Sequence, residues 1–274
     1  MTPGDDRVSA EWLALREPAD AAARAPALVE EVRRLLPATG GVTVHDLGCG
    51  TGSMARWLAG RLTGPQHWVL HDRDPELLAL AAANPPVGAS DGASMTVETR
   101  RGDVTRLGPH ELEGAALITA SALLDTLTGD ELERLVATCA AAGCAVLFTL
   151  SVTGHVDLGP ADPLDRCVAA AFNDHQRRTA RTRPLLGPDA VGAAVDGFSR
   201  LGADVLVRPS RWLLGPGQAA LAREWFTGWL AAAREQRPGL DAATRSYEER
   251  RLAQAAAGRL SVTVHHQDLL ARPR

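Results

Sequence analysis

Short apolar segments alternate with helical patterns along the first half of the chain. The apolar runs lie at 42–45, 67–70, 94–100, 115–120 and 145–150, and polar or glycine-containing segments follow them. Between the runs, apolar residues recur at helical spacing. Strands that alternate with helices in this way predict a parallel sheet with right-handed crossovers.

The pattern differs on both sides of this region. Helices are predicted at 9–16 and 19–36, ahead of the first strand, and Pro37 followed by two glycines ends the second helix. Beyond Ser151 the predicted elements are a hairpin-like stretch at 152–159, a helix at 163–178, a basic loop up to Pro188, a helix at 188–200, a strand at 204–208, helices at 217–235 and 241–257, and a last strand at 260–265.

Together these elements predict an α/β fold: a doubly wound, mostly parallel, seven-stranded Rossmann-like sheet with N-terminal helices and a helical cap. We expect one sheet with inserted pieces rather than separate domains. The predicted parts are an N-terminal helical lid at 1–40, a Rossmann-like core at 41–151 that binds a cofactor, a substrate cap insertion at 152–187, and the C-terminal part of the core with two extra helices at 188–274.

The amino-acid composition excludes some classes of enzyme and argues against some kinds of partner. All 29 basic residues are arginine, and the formal net charge is −4. Without lysine, the chain cannot use a P-loop lysine or a Schiff-base lysine. The mild acidity argues against a nucleic-acid partner, and no apolar run reaches the roughly 18 residues that argue for a membrane span. Four cysteines without metal-ligand spacing and a polar N-terminus predict a cytoplasmic protein.

A glycine-rich segment follows the first predicted strand and reads Asp46-Leu-Gly-Cys-Gly-Thr-Gly52. Its glycines allow a tight turn and a close approach of the backbone to a ligand. A dinucleotide fold favours G-x-G-x-x-G instead, and an acid at Asp46 would repel a pyrophosphate. A carboxylate there suits a cationic amino group or a sulfonium.

Three later strand ends also carry polar residues in order, namely Asp72, Asp103 and Ser121. With the glycine loop, they make residues 42–150 resemble the class I S-adenosylmethionine-dependent methyltransferases. The resemblance implies S-adenosylmethionine as cofactor and S-adenosylhomocysteine as product, with Asp72 at the ribose and Asp103 at the adenine. The cofactor-binding residues implied in this way are Asp46, Gly48, Cys49, Gly50, Gly52, Asp72, Arg73, Asp103, Val104, Ser121 and Arg24.

The whole chain resembles a small bacterial subgroup of these methyltransferases whose substrate is unassigned. The shared segments lie at 12–24, 120–125, 162–165, 173–176 and 212–216. Within this likeness Arg24 can pair with the carboxylate of the cofactor, which arginine grips in a bidentate manner. An exposed arginine on a capping helix is the equally weighted alternative.

The predicted helix at 163–178 and its start carry polar residues that share one face. Asp162, Asp165 and Asn173 belong to this row and predict a substrate-binding surface, with a solvated face as the alternative. Trp12, in the first helix, is a further candidate for substrate binding.

Two residues are candidates for catalysis. His175 is the best general-base candidate, because the ordinary pKa of histidine suits proton removal near neutrality. A structural role for His175 is the alternative. Asp125 follows the fourth strand and is the second candidate, and no metal ion is expected.

These observations predict a methyltransferase (EC 2.1.1 class) that acts on a small molecule by in-line methyl transfer to O, N or C. The alternatives are a non-catalytic or non-methylating S-adenosylmethionine-binding protein, and a protein or RNA methyltransferase. The expected partner is a small-molecule substrate, without nucleic acid or membrane, and a homodimer is compatible with the sequence. The identity of the substrate stays open.

Overall fold

The computed structural model describes residues 8–180 and 182–273. Its helices are α1 (Ala10–Ala23), α2 (Pro26–Leu35), α3 (Ser53–Ala59), α4 (Pro75–Ala83), α5 (Gly129–Ala141), α6 (Asp165–Gln176), α7 (Ala190–Arg200), α8 (Ala219–Gln236) and α9 (Leu240–Ala256). Its strands are β1 (Val42–Leu47), β2 (Gln66–Asp72), β3 (Met95–Arg101), β4 (Leu117–Ser121), β5 (Ala145–Gly159), β6 (Thr179–Ala180), β7 (Arg183–Pro184), β8 (Asp204–Leu214) and β9 (Ser261–Arg272).

Seven of these strands form one sheet in the order β3-β2-β1-β4-β5-β9-β8. Strands β1 to β5 run parallel to one another in this sheet, whereas β9 is antiparallel to both β5 and β8. The predicted doubly wound, mostly parallel α/β fold is therefore confirmed. Strands β6 and β7 pair with each other within the segment that the sequence predicts as a loop.

Buried apolar side chains form three clusters. One packs α2 and α3 on β1 and β2, and another packs α5 and α7 on β4 and β5 across the other face of the sheet. The third joins α1, α6, α8 and α9 to the extended ends of β5, β8 and β9, and it makes the helical cap. Within the described ranges, no helix combines the length and the apolar character that a membrane crossing needs.

Strand β5 is much longer than the sequence predicts. The apolar pattern ends it at Leu150 and places a hairpin at 152–159, but the strand continues through that stretch. Strand β9 likewise continues past its predicted end at His265. Two register shifts, after Phe148 and after Val152, interrupt the regular pairing of β5 with β9. These bulges break the alternation of apolar residues, so the hairpin prediction is wrong.

Helix α1 also departs from the prediction, since it continues through Pro18 where a break is expected. A proline inside a helix removes one backbone hydrogen bond and crowds the preceding turn. Ion pairs beside Pro18 hold the helix in place, because Glu17 binds Arg56 at 2.6 Å and Arg16 binds Asp20 at 2.9 Å. Tertiary contacts thus override the local preference.

A buried carboxylate connects the N-terminal helices to the sheet. Asp268 of β9 is 1% exposed and accepts hydrogen bonds from the backbone N–H groups of Ala25 and Leu150, each at 2.8 Å. Ser210 of β8 donates a third hydrogen bond to it. Leu150 has a φ of +57°, so its hydrogen bond holds a strained residue at the first bulge of β5.

We expect Asp268→Asn to lower the free energy of unfolding by about 2–4 kcal/mol, because its amide N–H₂ group must face at least one of the three buried donors. Urea unfolding of the variant and the wild type measures the difference. Asp196→Asn, on an exposed position of α7, is the matched control and should change stability by less than about 0.5 kcal/mol. Equal effects of the two substitutions would contradict the role given to Asp268.

Candidate active site

The glycine loop follows β1 and leads into α3. Asp46, the last residue but one of β1, is completely buried, and its Oδ1 accepts a hydrogen bond from Thr119 Oγ1 at 2.7 Å. Its Oδ2 is buried and has no hydrogen-bond partner among the described residues. Burial raises the pKa of Asp46 to about 7, although the hydrogen bond from Thr119 and the charge of Arg24 both lower it.

The carboxylate of Asp72, at the end of β2, organises this loop. Its Oδ2 accepts a hydrogen bond from the backbone N–H of Gly50 at 2.8 Å, and its Oδ1 accepts one from Asp74 at 2.9 Å. A carboxylate has about four acceptor positions, so Asp72 keeps acceptor capacity for a ligand. The structure therefore brings Asp46, the loop and Asp72 together, as the order of strand ends predicts.

Two leucines lie against the glycines of the loop. A Cβ atom on Gly50 would come within 3.1 Å of Leu13 Cδ1, and one on Gly48 within 3.1 Å of Leu123 Cδ1. Both glycines also have positive φ values, +55° and +66°, a conformation that glycine adopts without steric cost. Helix α1, which carries Leu13, consequently covers the loop.

Arg24 lies behind the loop, where α1 ends. It is 1% exposed, and its Nη2 donates hydrogen bonds to Ser121 Oγ at 3.1 Å and to Ser53 Oγ at 3.3 Å. Its Nε and Nη1 are buried and have no hydrogen-bond partner in the described structure. Burial lowers the pKa of Arg24, while nearby acids, Asp20 first among them, oppose that shift.

Arg24 thus has buried N–H donors, and Asp46 a buried oxygen acceptor, that have no hydrogen-bond partner among the described residues. The charge of Arg24 lowers the pKa of the carboxyl of Asp46, so the two groups interact electrostatically. A guanidinium binds a carboxylate, and a carboxylate binds an ammonium. The pair therefore suits a zwitterionic α-amino-acid group.

A second polar group lies between α1 and the end of β8. The guanidinium of Arg16 binds both carboxylate oxygens of Asp20, at 2.9 and 3.1 Å. It also stacks over the ring of Trp212 at 4.9 Å and lies 6.0 Å from the ring of Trp12. Trp212 Nε1 donates a hydrogen bond to Asp20 at 2.9 Å, which locks the tryptophan in place.

The charge of Arg16 affects the pKa values of two titratable groups, Asp125 and His266. Desolvation raises the pKa of Asp125 to about 6, with Arg16 opposing the shift. Desolvation lowers the pKa of His266 to about 3, and the charge of Arg16 lowers it further. The ring of His266 packs on Trp212 at 5.5 Å, and its Nδ1 is buried without a described hydrogen-bond partner. The charge of Arg16 thus acts on both groups, and His266, which packs on Trp212, is neutral.

Other predicted cofactor residues lie at the expected strand ends. Asp103 is exposed, caps a short 3₁₀ turn and accepts hydrogen bonds from Thr105, and Val104 beside it is buried. Arg73 is exposed. Cys49 is buried, and burial raises the pKa of its thiol well above the ordinary value. Cys49 therefore lies in the loop as a neutral thiol.

The polar row of α6 makes contacts within the cap instead. Asp162 binds Arg250 at 2.7 Å, and Asp165 accepts a hydrogen bond from Tyr247 at 2.8 Å. Asn173 Nδ2 donates to the carbonyl oxygen of Gly154 at 2.8 Å. The described contacts of these predicted substrate residues therefore join α6 to α9 and to β5.

His175 belongs to α6, and its side chain contacts α8. Its Nε2 is 3.3 Å from a carboxylate oxygen of Glu235, and its Nδ1 is 3.1 Å from the guanidinium of Arg178. Desolvation and the charge of Arg178 lower its pKa. These contacts do not bring His175 to the glycine loop or to Arg24.

Sequence reasoning missed His266 and Asp268 as parts of this region. Their spacing of two along a strand places both side chains on one face of the sheet. The sequence does not reveal this spacing as part of a strand, because the apolar pattern predicts that the last strand ends at His265. Only an extension of β9 aligns these polar residues with the N-terminal helices.

Comparison with known proteins gives one family match. Residues 44–142 match a family model described as a methyltransferase domain, whereas no curated protein matches the chain. Among similar solved structures, an S-adenosylmethionine-dependent methyltransferase from Geobacter sulfurreducens in complex with S-adenosyl-L-homocysteine is 16% identical, with 97% of this chain and 99% of that chain covered and a TM-score of 0.44. The cyclopropane synthase MmaA2 from Mycobacterium tuberculosis is 12% identical, with 97% and 95% covered and a TM-score of 0.49. Both TM-scores are below 0.5, so the roles of individual residues rest on this chain alone.

We expect Asp46→Asn to change how stability depends on pH. The raised pKa means that the folded chain keeps this proton up to about pH 7, whereas the unfolded chain releases it near 3.8. Stability due to the protonated form is therefore lost as pH rises between these values. The stability of the variant relative to wild type should rise across this window and level off above it.

Urea unfolding of the ligand-free protein at a series of pH values measures this difference. Asp196→Asn controls for the loss of one exposed carboxylate. A stability difference between Asp46→Asn and wild type that stays constant from pH 4 to 7 would show that Asp46 does not titrate in this way.

Proposed function

We propose that this chain, whose residues 44–142 match a family model described as a methyltransferase domain, transfers a methyl group from S-adenosylmethionine to an O, N or C atom of a small molecule. The matched segment, residues 44–142, contains most of β1, the glycine loop, and the strands β2, β3 and β4. The helices that precede and follow it supply the lid and the cap around the domain.

The observation that carries this proposal is the pair of unfilled positions on Arg24 and Asp46. Buried polar atoms are rarely left without a partner in folded proteins. The methionine part of S-adenosylmethionine has an α-carboxylate that fits Arg24 and an α-ammonium that fits Asp46. The residues of this chain therefore fit the cofactor of the family.

The remaining cofactor contacts follow from the strand ends. Asp72 would accept hydrogen bonds from the ribose hydroxyls with the acceptor positions that Gly50 and Asp74 leave free. Asp103 and Val104 would border the adenine. Ligands of open α/β sheets bind at the carboxyl ends of the strands, where all these residues lie.

When bound, the cofactor supplies an electrophilic methyl group on a sulfonium. The chain itself aligns the reactants and excludes water, and alignment alone can contribute about 7–11 kcal/mol to lowering the barrier. Leu13 of α1 and Leu123 beside the loop provide the apolar cover. Arg24, held by Ser53 and Ser121, fixes the position of the amino-acid end.

The aromatic pair beside Arg16 is our candidate for the substrate side. Trp12 and Trp212 provide flat apolar surface, and His266 offers a buried ring nitrogen that has no described partner. Aromatic walls with a small number of placed polar groups are typical of small-molecule sites. The net charge of −4 also favours a small molecule over a nucleic acid.

We propose Asp125 as the group that accepts a proton from the substrate. Its pKa of about 6 leaves it ionised at neutral pH yet basic enough to take a proton. His175 is the weaker candidate, since its ring contacts Glu235 and Arg178 between two cap helices. Of the two catalytic candidates that the sequence predicts, we therefore assign proton acceptance to Asp125 and not to His175.

Arg24→Met should weaken binding of S-adenosylhomocysteine by about 30-fold or more, because the ligand carboxylate loses its partner. 5′-Methylthioadenosine lacks the amino-acid group, so it should bind the variant and the wild type equally. Titration calorimetry measures both ligands. Binding of 5′-methylthioadenosine to the variant also shows that the protein still folds after the buried charge among the acids is removed.

Asp72→Asn is the matched variant for the ribose end and should weaken both ligands alike. If Arg24→Met weakens both ligands by the same factor, Arg24 does not contact the amino-acid group. If neither ligand binds the wild-type protein, the proposed cofactor site is wrong.

The methyl acceptor can be sought by incubating the chain with cell extract and methyl-labelled S-adenosylmethionine. We expect label in the small-molecule fraction, and label confined to protein or RNA would contradict the proposed substrate class.

With that acceptor, the wild-type rate should fall as pH drops through about 6, because the acid form of Asp125 cannot accept a proton.

Asp125→Asn should lower kcat by about 10²-fold or more and remove this acid limb of the pH profile. His175→Gln is the companion variant at the other candidate. A large loss of kcat in His175→Gln, with the acid limb unchanged in Asp125→Asn, would transfer the role to His175.

A further inference from the structure

Two histidines and an aspartate meet where β5 extends beside β9. His265 Nε2 lies 2.8 Å from Asp157 Oδ2, and His155 Nε2 lies 3.3 Å from Asp157 Oδ1. The rings of the two histidines are 4.4 Å apart between centroids. One ligand atom from each of the three residues lies within 4.8 Å of the other two. Two imidazole nitrogens and a carboxylate therefore converge on one point.

The backbone explains why these side chains meet. Residues two apart on a strand share a face, so His155 and Asp157 point the same way. The register pairs Val156 with Val264, which places His155 beside His265 across the two strands. His155 and Asp157 lie in the stretch at 152–159 that the sequence predicts as a hairpin, so the sequence does not place them beside His265.

The second bulge of β5 contains one residue of this cluster, His155. Between Val152 and Val156, β5 has three residues where β9 has His265 alone. Gly154 within the bulge has a φ of +75°, and a Cβ there would come within 3.0 Å of Asn173. Asn173 also holds the carbonyl oxygen of Gly154 at 2.8 Å. The cap helix thus fixes the bulge that presents His155.

We propose that His155, Asp157 and His265 bind a divalent first-row transition metal ion, with Zn²⁺ as the ion that the donor set fits best. Zinc takes imidazole nitrogen and carboxylate oxygen at about 2.0–2.2 Å, so ligand atoms in a tetrahedral site lie about 3.3 Å apart. The observed separations need only small side-chain shifts to meet this value. Imidazole donors favour zinc, copper or nickel over calcium or magnesium.

The place of the cluster indicates what the ion does. Val156 and Val264 face the apolar cluster of the cap, so the three ligands face away from it. His155 and Asp157 are exposed, which gives an ion direct access. Bound there, the ion ties β5 to β9 at the second bulge of β5. It acts as a clamp on the cap and takes no part in methyl transfer.

Titration of untagged, chelator-treated protein with Zn²⁺ tests the proposal. We expect one ion per chain, and either His155→Ala or His265→Ala should weaken binding by about tenfold or more. His110→Ala, on an exposed turn outside the cluster, is the matched control and should bind as the wild type does. Saturating Zn²⁺ should raise the melting temperature of the wild type and of the control, because it binds the folded chain.

Co²⁺ gives a second readout that does not depend on stability. Its absorption spectrum in the visible range should show nitrogen-rich, low-coordinate binding in the wild type and lose that signature in His265→Ala. Absence of stoichiometric Zn²⁺ binding to the wild type would overturn the proposal. So would a loss of affinity in His110→Ala equal to the loss in His155→Ala.

Discussion

A single buried cation, Arg24, is the constraint around which the site is built. Taking a guanidinium out of water is costly unless other groups compensate for the lost solvation. Ser53 and Ser121 accept hydrogen bonds from it, and buried acids on α1, β1 and β9 surround it with negative charge. The same charge therefore links the lid, the glycine loop and the last strand of the sheet.

Burial also decides the charge of the acids in this region. Desolvation moves the pKa of Asp46 to about 7 and that of Asp125 to about 6, so both sit near the point where a proton is gained or lost at neutral pH. A ligand ammonium next to Asp46 would favour its ionised form. In the proposed binding mode, binding of the cofactor would therefore release the proton of Asp46.

The sequence predicts structural features that depend on residues close to one another along the chain. It does not predict contacts between residues that are far apart in the sequence. The sequence places Asp46 and Asp72 at one edge of the sheet, because parallel strands bring their carboxyl ends together there. The row of acids at α6 was visible as a helical face, but Asp165 meets Arg251 only through the fold. No local pattern reveals that contact, so the sequence predicts for this row only a substrate surface or a solvated face.

The first bulge of β5 shows how one residue can redirect a whole strand. Between Phe148 and Ser151, β5 has one residue more than β9, and a shift of one residue exchanges the two faces of a strand. Without that extra residue, Val156 and Leu158 would face solvent, and His155 and Asp157 would enter the apolar cap. Asp268 holds the backbone of Leu150 at this point. The buried carboxylate that anchors the lid therefore also determines which side chains of β5 form the cap and which are left to bind a ligand.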